Sequence, residues 1–170
     1  MDIDALKHMY PTLEMLGEAL ARAGIACRVC PGDVATGFSG ARMYAGGAAA
    51  RPDTLYVIRP GDAAAFPADR CAFVGCGAKP GRAGAILCPD CDPDRLLDQL
   101  LQVFDTCRRA EGRLDELVYR NAALSELCEL GAELLDNPIC IHDDWFVMIA
   151  KSSELQEVMP PDYIMTSLNP

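Results

Sequence analysis

The sequence predicts an α/β protein: a small N-terminal α/β sheet module, then a long helix, a second helix and a β-hairpin. Three observations predict it. The short, nearly continuous apolar runs "TLYVIRP", "CAFVGCG" and "GAILCP" have the composition of strands buried on both faces, as parallel strands are. A sharp helix start at Asp92-Pro93 precedes apolar residues at alternating four- and three-residue steps. Beyond residue 137, "PICIHDDWFVMIAKS" sets two β-prone runs around an acidic turn.

The first element is a helix over "PTLEMLGEALARAG" (11–24). Leu13, Leu16, Ala19, Leu20 and Ala23 form a stripe at helical spacing, Pro11 suits a first turn, and Gly24 ends it. "IACRVC" (25–30) follows as a short strand closed by Pro31-Gly32, and "ARMYA" (41–45) as a weaker one. The strands at 54–60, 71–77 and 84–89 come next, and "GDAAAFPAD" (61–69) has room for about two helical turns. The connections are too short for a full crossover helix at every step. These elements make a module over residues 1–91.

Asp92 caps the next helix, Pro93 takes its first position, and Asp94 favours the positive end of the dipole. Leu97, Leu100, Phe104, Cys107, Leu114 and Val118 then form a stripe interrupted by Glu111. Such a stripe packs on another helix, either within the chain or as its copy in a homodimer. A second helix covers 121–137 with Leu124, Leu127, Leu130, Leu134 and Leu135 apolar, stopped by Pro138. Residues 92–137 read as connecting and dimerisation helices. In 138–170, Ile139 and Ile141 precede the Asp143-Asp144 turn, and Phe146, Met148 and Ala150 share one face after it. A two-stranded hairpin is not stable alone, so 138–170 reads as the incomplete first part of a domain.

The composition excludes several functions. Half of the 170 residues are apolar, as a globular core requires, and no apolar run approaches the ~20 residues that span a bilayer. "MDIDALKHMY" is acidic where a secretion signal is basic, which predicts a cytoplasmic location. The net charge of −10 argues against nucleic-acid contact by this chain, since phosphate binding needs clustered Lys and Arg. Nine cysteines, an odd number without a secretion signal, argue against a disulfide framework. Cys71, Cys76, Cys107, Cys128 and Cys140 sit in apolar stretches and read as reduced core thiols.

The C-terminal half carries a resemblance. A long helix, a shorter leucine-rich helix and "ELCELGAELLDNPICIHDDWFVMIAKS" resemble the sensor regions of bacterial transcriptional regulators of the PucR/CdaR type. The matching positions are Asn137, Pro138, Ile139, Asp143, Asp144, Ala150 and Ser152. The preceding "LYVIRP…FVGCG…ILCPDCDPDRLLDQLLQVFDTC" is similar to the α/β module that often precedes that element, so the resemblance runs over about residues 52–153. It implies a non-enzymatic, usually dimeric sensor piece that binds a small-molecule effector or mediates dimerisation. It also implies that 138–170 begin a GAF/PAS-like domain, and that DNA is bound through a helix-turn-helix these residues do not contain. No cofactor and no membrane partner are implied.

Two sets of residues are candidate sites. Arg59, Gly75, Gly77 and Lys79 fall after candidate strands, where open α/β sheets bind ligands, and suit a small anion. The same glycines also serve simply to turn the chain, and a lone Gly-x-Gly does not define a site. The pairs Cys27/Cys30 and Cys88/Cys91 suggest zinc, and Cys88/Cys91, between a strand and a helix start, suggests a redox pair in a stand-alone cysteine-rich protein. Against zinc, the pairs lie much farther apart than the ~15–20 residues of a zinc ribbon. "CRVC" is also a strand, which turns residues three apart to opposite faces. Against the redox pair, Asp90, Asp92 and Asp94 oppose a thiolate. His8 and His142 lack the context of a catalytic triad, and Trp145 belongs to the hairpin turn.

Overall fold

A computed structural model of the chain describes residues 10–33, 37–46, 51–75, 79–145 and 147–155. It is mixed α/β, as the sequence predicts. The first unit, Met1–Arg108, is built on a five-stranded sheet. Its strands are β1 (Arg28–Cys30), β2 (Gly40–Met43), β3 (Thr54–Ile58), β4 (Phe73–Gly75) and β5 (Ala85–Leu87), in the order β1-β5-β4-β3-β2. β2 to β5 run parallel, and β1 closes the far edge antiparallel to β5. That antiparallel edge is not visible in the sequence.

Every residue of β3 is buried. Alternation along the strand sends Leu55 and Val57 to one face and Tyr56 and Ile58 to the other. On the first face, Leu55, Val57, Val74 and Ile86 pack with Leu13, Leu16 and Leu20 of α1 (Leu13–Arg22) and with Leu96, Leu100 and Phe104 of α2 (Pro93–Tyr119). The second face is aromatic. Tyr44 and Phe66 meet edge to face with centroids 5.0 Å apart, and Phe66 meets Phe73 at 5.5 Å. The Tyr44 hydroxyl donates to the Ala65 carbonyl, and the Tyr56 hydroxyl accepts from the Arg51 N–H. The segment expected to hold two helical turns instead forms a single 3₁₀ turn, Pro60–Asp62, and further turns. The aromatic side chains cover the sheet where a crossover helix would otherwise lie.

α1 starts two residues later than Pro11 suggests. Thr12 is its cap, with Oγ1 accepting from the Met15 N–H. Gly17 lies directly over Val29 of β1: a Cβ there would stand 2.2 Å from the Val29 Cγ2, so only glycine allows this approach. Gly24 ends the helix with φ +75°.

The second unit, Arg109–Pro170, comprises the end of α2, α3 (Leu124–Leu135), β6 (Cys140–His142) and β7 (Met148–Lys151). The division falls inside α2, so the expected connecting segment 92–137 is shared between the two units. Arg113 and Glu133 join α2 to α3 through two hydrogen bonds of 2.6 and 2.8 Å. α3 ends on Asp136 in the left-handed conformation, φ 49°, which Asp tolerates better than most residues. β6 and β7 pair antiparallel, with a bulge between Ile141 and His142. Asp143 shapes the turn, its Oδ1 accepting from the N–H groups of Trp145 and Val147. The hairpin is pinned to α3 by Glu129, whose carboxylate accepts from the Ser153 N–H at 2.7 Å and from its hydroxyl at 3.1 Å.

Leu100 is fully buried, whereas the neighbouring Leu101 is exposed. Leu100→Ala is expected to cost about 2–5 kcal/mol of stability and Leu101→Ala to stay within about 0.5 kcal/mol, read by urea unfolding. Equal effects would mean that α2 does not present this face to the sheet.

Candidate functional site

The strand order places Arg59 and Gly75 together. Ile58, the last residue of β3, is in register with Gly75, the last of β4, so both lie at the carboxyl edge of adjacent parallel strands. Gly75 adopts φ +149°, and a Cβ there would come 2.7 Å from the Ile58 carbonyl oxygen. Its glycine identity is therefore explained by sheet packing. Lys79 is exposed, and Gly77 lies outside the described residues.

The electrostatics at this edge are mixed. Arg59 Nη2 stands 3.5 Å from Asp94 Oδ1 in the first turn of α2, both side chains being largely exposed. The α2 N-terminus is capped from within the chain, Asp92 Oδ1 accepting from the Asp94 N–H at 3.0 Å. An incoming anion would compete with Asp94 for Arg59 and with Asp92 for the free helix amides.

The cysteines divide by sheet face. Cys88 is buried in the core beneath α1 and α2, and Cys27 and Cys91 pack against that core. Cys30 packs against the aromatic cluster on the opposite face. The two faces of the sheet thus separate the four-cysteine set, as the strand geometry of "CRVC" requires. Among the described residues, no group of three or more His, Cys, Asp or Glu is arranged to hold a metal ion. Burial pushes the thiols of Cys27 and Cys107 above their ordinary value, and does the same for Cys71 and Cys128, where neighbouring charges also contribute.

The stripe on α2 is also divided. Leu100 and Phe104 belong to the chain's own core, and Leu97 packs against it, so Leu100 and Phe104 are not available to a partner helix. Cys107 is half-buried. Leu114 and Val118 are exposed, Val118 at 61%. The sheet accounts for this division: a helix laid across it buries its apolar face there first. The heptad spacing alone does not say where that cover ends.

In the second unit, a groove of about 440 Å³ runs between the end of α2 and α3. Leu117 and Leu130 form part of its lining, and Arg113, Arg120, Glu126 and Glu133 cross it as ion pairs. Arg120 Nη2 reaches Glu126 Oε2, while the other Glu126 oxygen accepts from the Ala123 N–H. Sequence reasoning missed these pairs, because Arg113 and Glu133 are brought together by the turn between helices and not by helical spacing. On the hairpin, Trp145, Val147 and Ile149 are exposed. His142 is exposed too, its Nδ1 3.7 Å from the Cys140 Sγ. His8 lies outside the described residues.

No protein-family model, no curated protein and no solved structure matches the chain.

The Arg113 hydrogen bonds hold the Glu133 carboxyl below its ordinary value of 4.5. A carboxylate depressed in the folded state stabilises above its unfolded pKa, and that contribution is lost as pH falls through the folded value. Glu133→Gln is therefore expected to lower the thermal midpoint slightly at neutral pH. The gap to wild type should narrow below pH 4.5, and also with added salt, because the pair is exposed. A gap that stays constant with pH would show that the ion pair is not its cause.

Proposed function

We propose that the chain is a regulatory, non-enzymatic sensor piece of a dimeric cytoplasmic transcription regulator resembling the PucR/CdaR type. In this reading an effector binds the α/β module, α2 carries the response, and DNA is contacted by elements other than these residues. The observation that carries the reading is the composition of α2. It is one continuous helix of 27 residues. Its first half supplies Leu96, Leu100 and Phe104 to the core of the sheet, and its last turns carry α3 through Arg113 and Glu133. A helix that is structural in both units is the element along which such a response would pass.

The exposed Leu114 and Val118, one turn apart, are the remaining surface for a second copy. The carboxyl edge at Arg59 and Gly75 is where a small effector would first be sought, given the parallel sheet. No helix among the described residues is long and apolar enough to cross a membrane.

Light scattering on the purified chain tests the dimer. Wild type is expected at twice the chain mass, and Leu114→Asp with Val118→Asp at one chain mass with unchanged circular dichroism. A wild-type monomer at high concentration, or a dimer indifferent to both substitutions, would overturn dimerisation through this stripe.

A further inference from the structure

We propose that Cys27 and Cys88 form a cross-strand dithiol, a thiol–disulfide site that joins the edge strand β1 to β5. The register places them opposite each other. β1 and β5 pair antiparallel with Arg28 facing Leu87, Val29 facing Ile86 and Cys30 facing Ala85. Carried one step beyond the strand ends, the same register would set residue 27 opposite residue 88. Both side chains belong to the same core, beneath α1 and α2.

The hydrogen bonding sets the spacing. The Cys88 N–H donates to the Gly75 carbonyl of β4 at 3.0 Å, so its backbone polar groups point away from β1. Cys27 and Cys88 therefore occupy a non-hydrogen-bonded antiparallel position, where Cα atoms approach to about 4.5 Å and side chains are closest. Disulfides span Cα separations of about 4.4–6.8 Å. The other pairings are less suited. Cys30 lies on the opposite face of the sheet, and Cys91 stands beyond the strand end, two residues before the start of α2.

The reduced state has its own partner. The Cys27 thiol donates to the Gly17 carbonyl of α1 at 3.4 Å, and burial favours the protonated form. Cys27, half-buried where Cys88 is fully buried, is the thiol that meets an oxidant first. With a low-molecular-weight disulfide as oxidant, the deprotonated Cys27 sulfur attacks one sulfur of that disulfide and expels the other as a thiolate. The Cys88 sulfur then attacks the mixed disulfide at Cys27 and expels the second thiol. Two protein thiols become one disulfide, the oxidant becomes two thiols, and the two protons pass to them. The reaction removes the Cys27 hydrogen bond to α1 and staples a three-residue edge strand to its neighbour.

The site is independent of the dimer reading and is tested separately. The reduced full chain is equilibrated with oxidised and reduced glutathione, its free thiols are alkylated, and it is digested with trypsin without reduction. Cleavage after Arg28 separates Cys27 from Cys30. A peptide bearing Cys27 linked to the peptide bearing Cys88 is expected. The link should persist in Cys91→Ser and vanish in Cys27→Ser, and in Cys88→Ser it should be replaced by a glutathione adduct on Cys27. Loss of the link in Cys91→Ser, a Cys88–Cys91 or Cys27–Cys30 bond, glutathione adducts alone on wild type, or no oxidation would each overturn the proposal.

Discussion

The first unit depends on the burial of β3 on both faces. A strand with two buried faces must have two covers, and the chain supplies them by different means. α1 and the first half of α2 cover Leu55 and Val57, while Tyr44, Phe66 and Phe73 surround Tyr56. A polar group placed anywhere in Thr54–Ile58 would need a partner in one core or the other. The same requirement explains why α2 cannot offer its whole apolar stripe to another molecule. Its N-terminal portion is one of the two covers.

The second unit rests on smaller constraints. One bidentate ion pair joins α2 to α3, and Glu129 ties the end of the hairpin to α3. Such exposed contacts contribute modestly. The hairpin leaves Val147 and Ile149 exposed, as befits a two-stranded sheet with one face in need of cover.

The cysteines illustrate how much pairing depends on register. In the sequence they form two Cys-x-x-Cys pairs, which invite a metal or a local redox couple. In the sheet the first local pair is broken up: Cys27 and Cys30 face opposite ways, and Cys27 lies against the same core as Cys88. A Cys-x-x-Cys spacing brings two thiols together on a turn or helix start and separates them on a strand.

The sequence by itself determined the elements. The two main helices, the strands around residues 54–58, 73–75 and 85–87, and the hairpin were legible because local patterns carry them: helical periodicity, Asp92-Pro93 at a helix start, short β-branched runs and the Asp143 turn. The Arg59–Gly75 edge was legible in part, since both residues follow recognisable strands. Tertiary structure alone decided the antiparallel placement of β1, the aromatic cover in place of a crossover helix, and which half of the α2 stripe is buried. It also decided the Arg113–Glu133 pair and the separation of Cys27 from Cys30. The physical reason is the same in each case. Periodicity reports that a side chain wants cover, whereas what covers it depends on which distant segment the sheet order brings alongside.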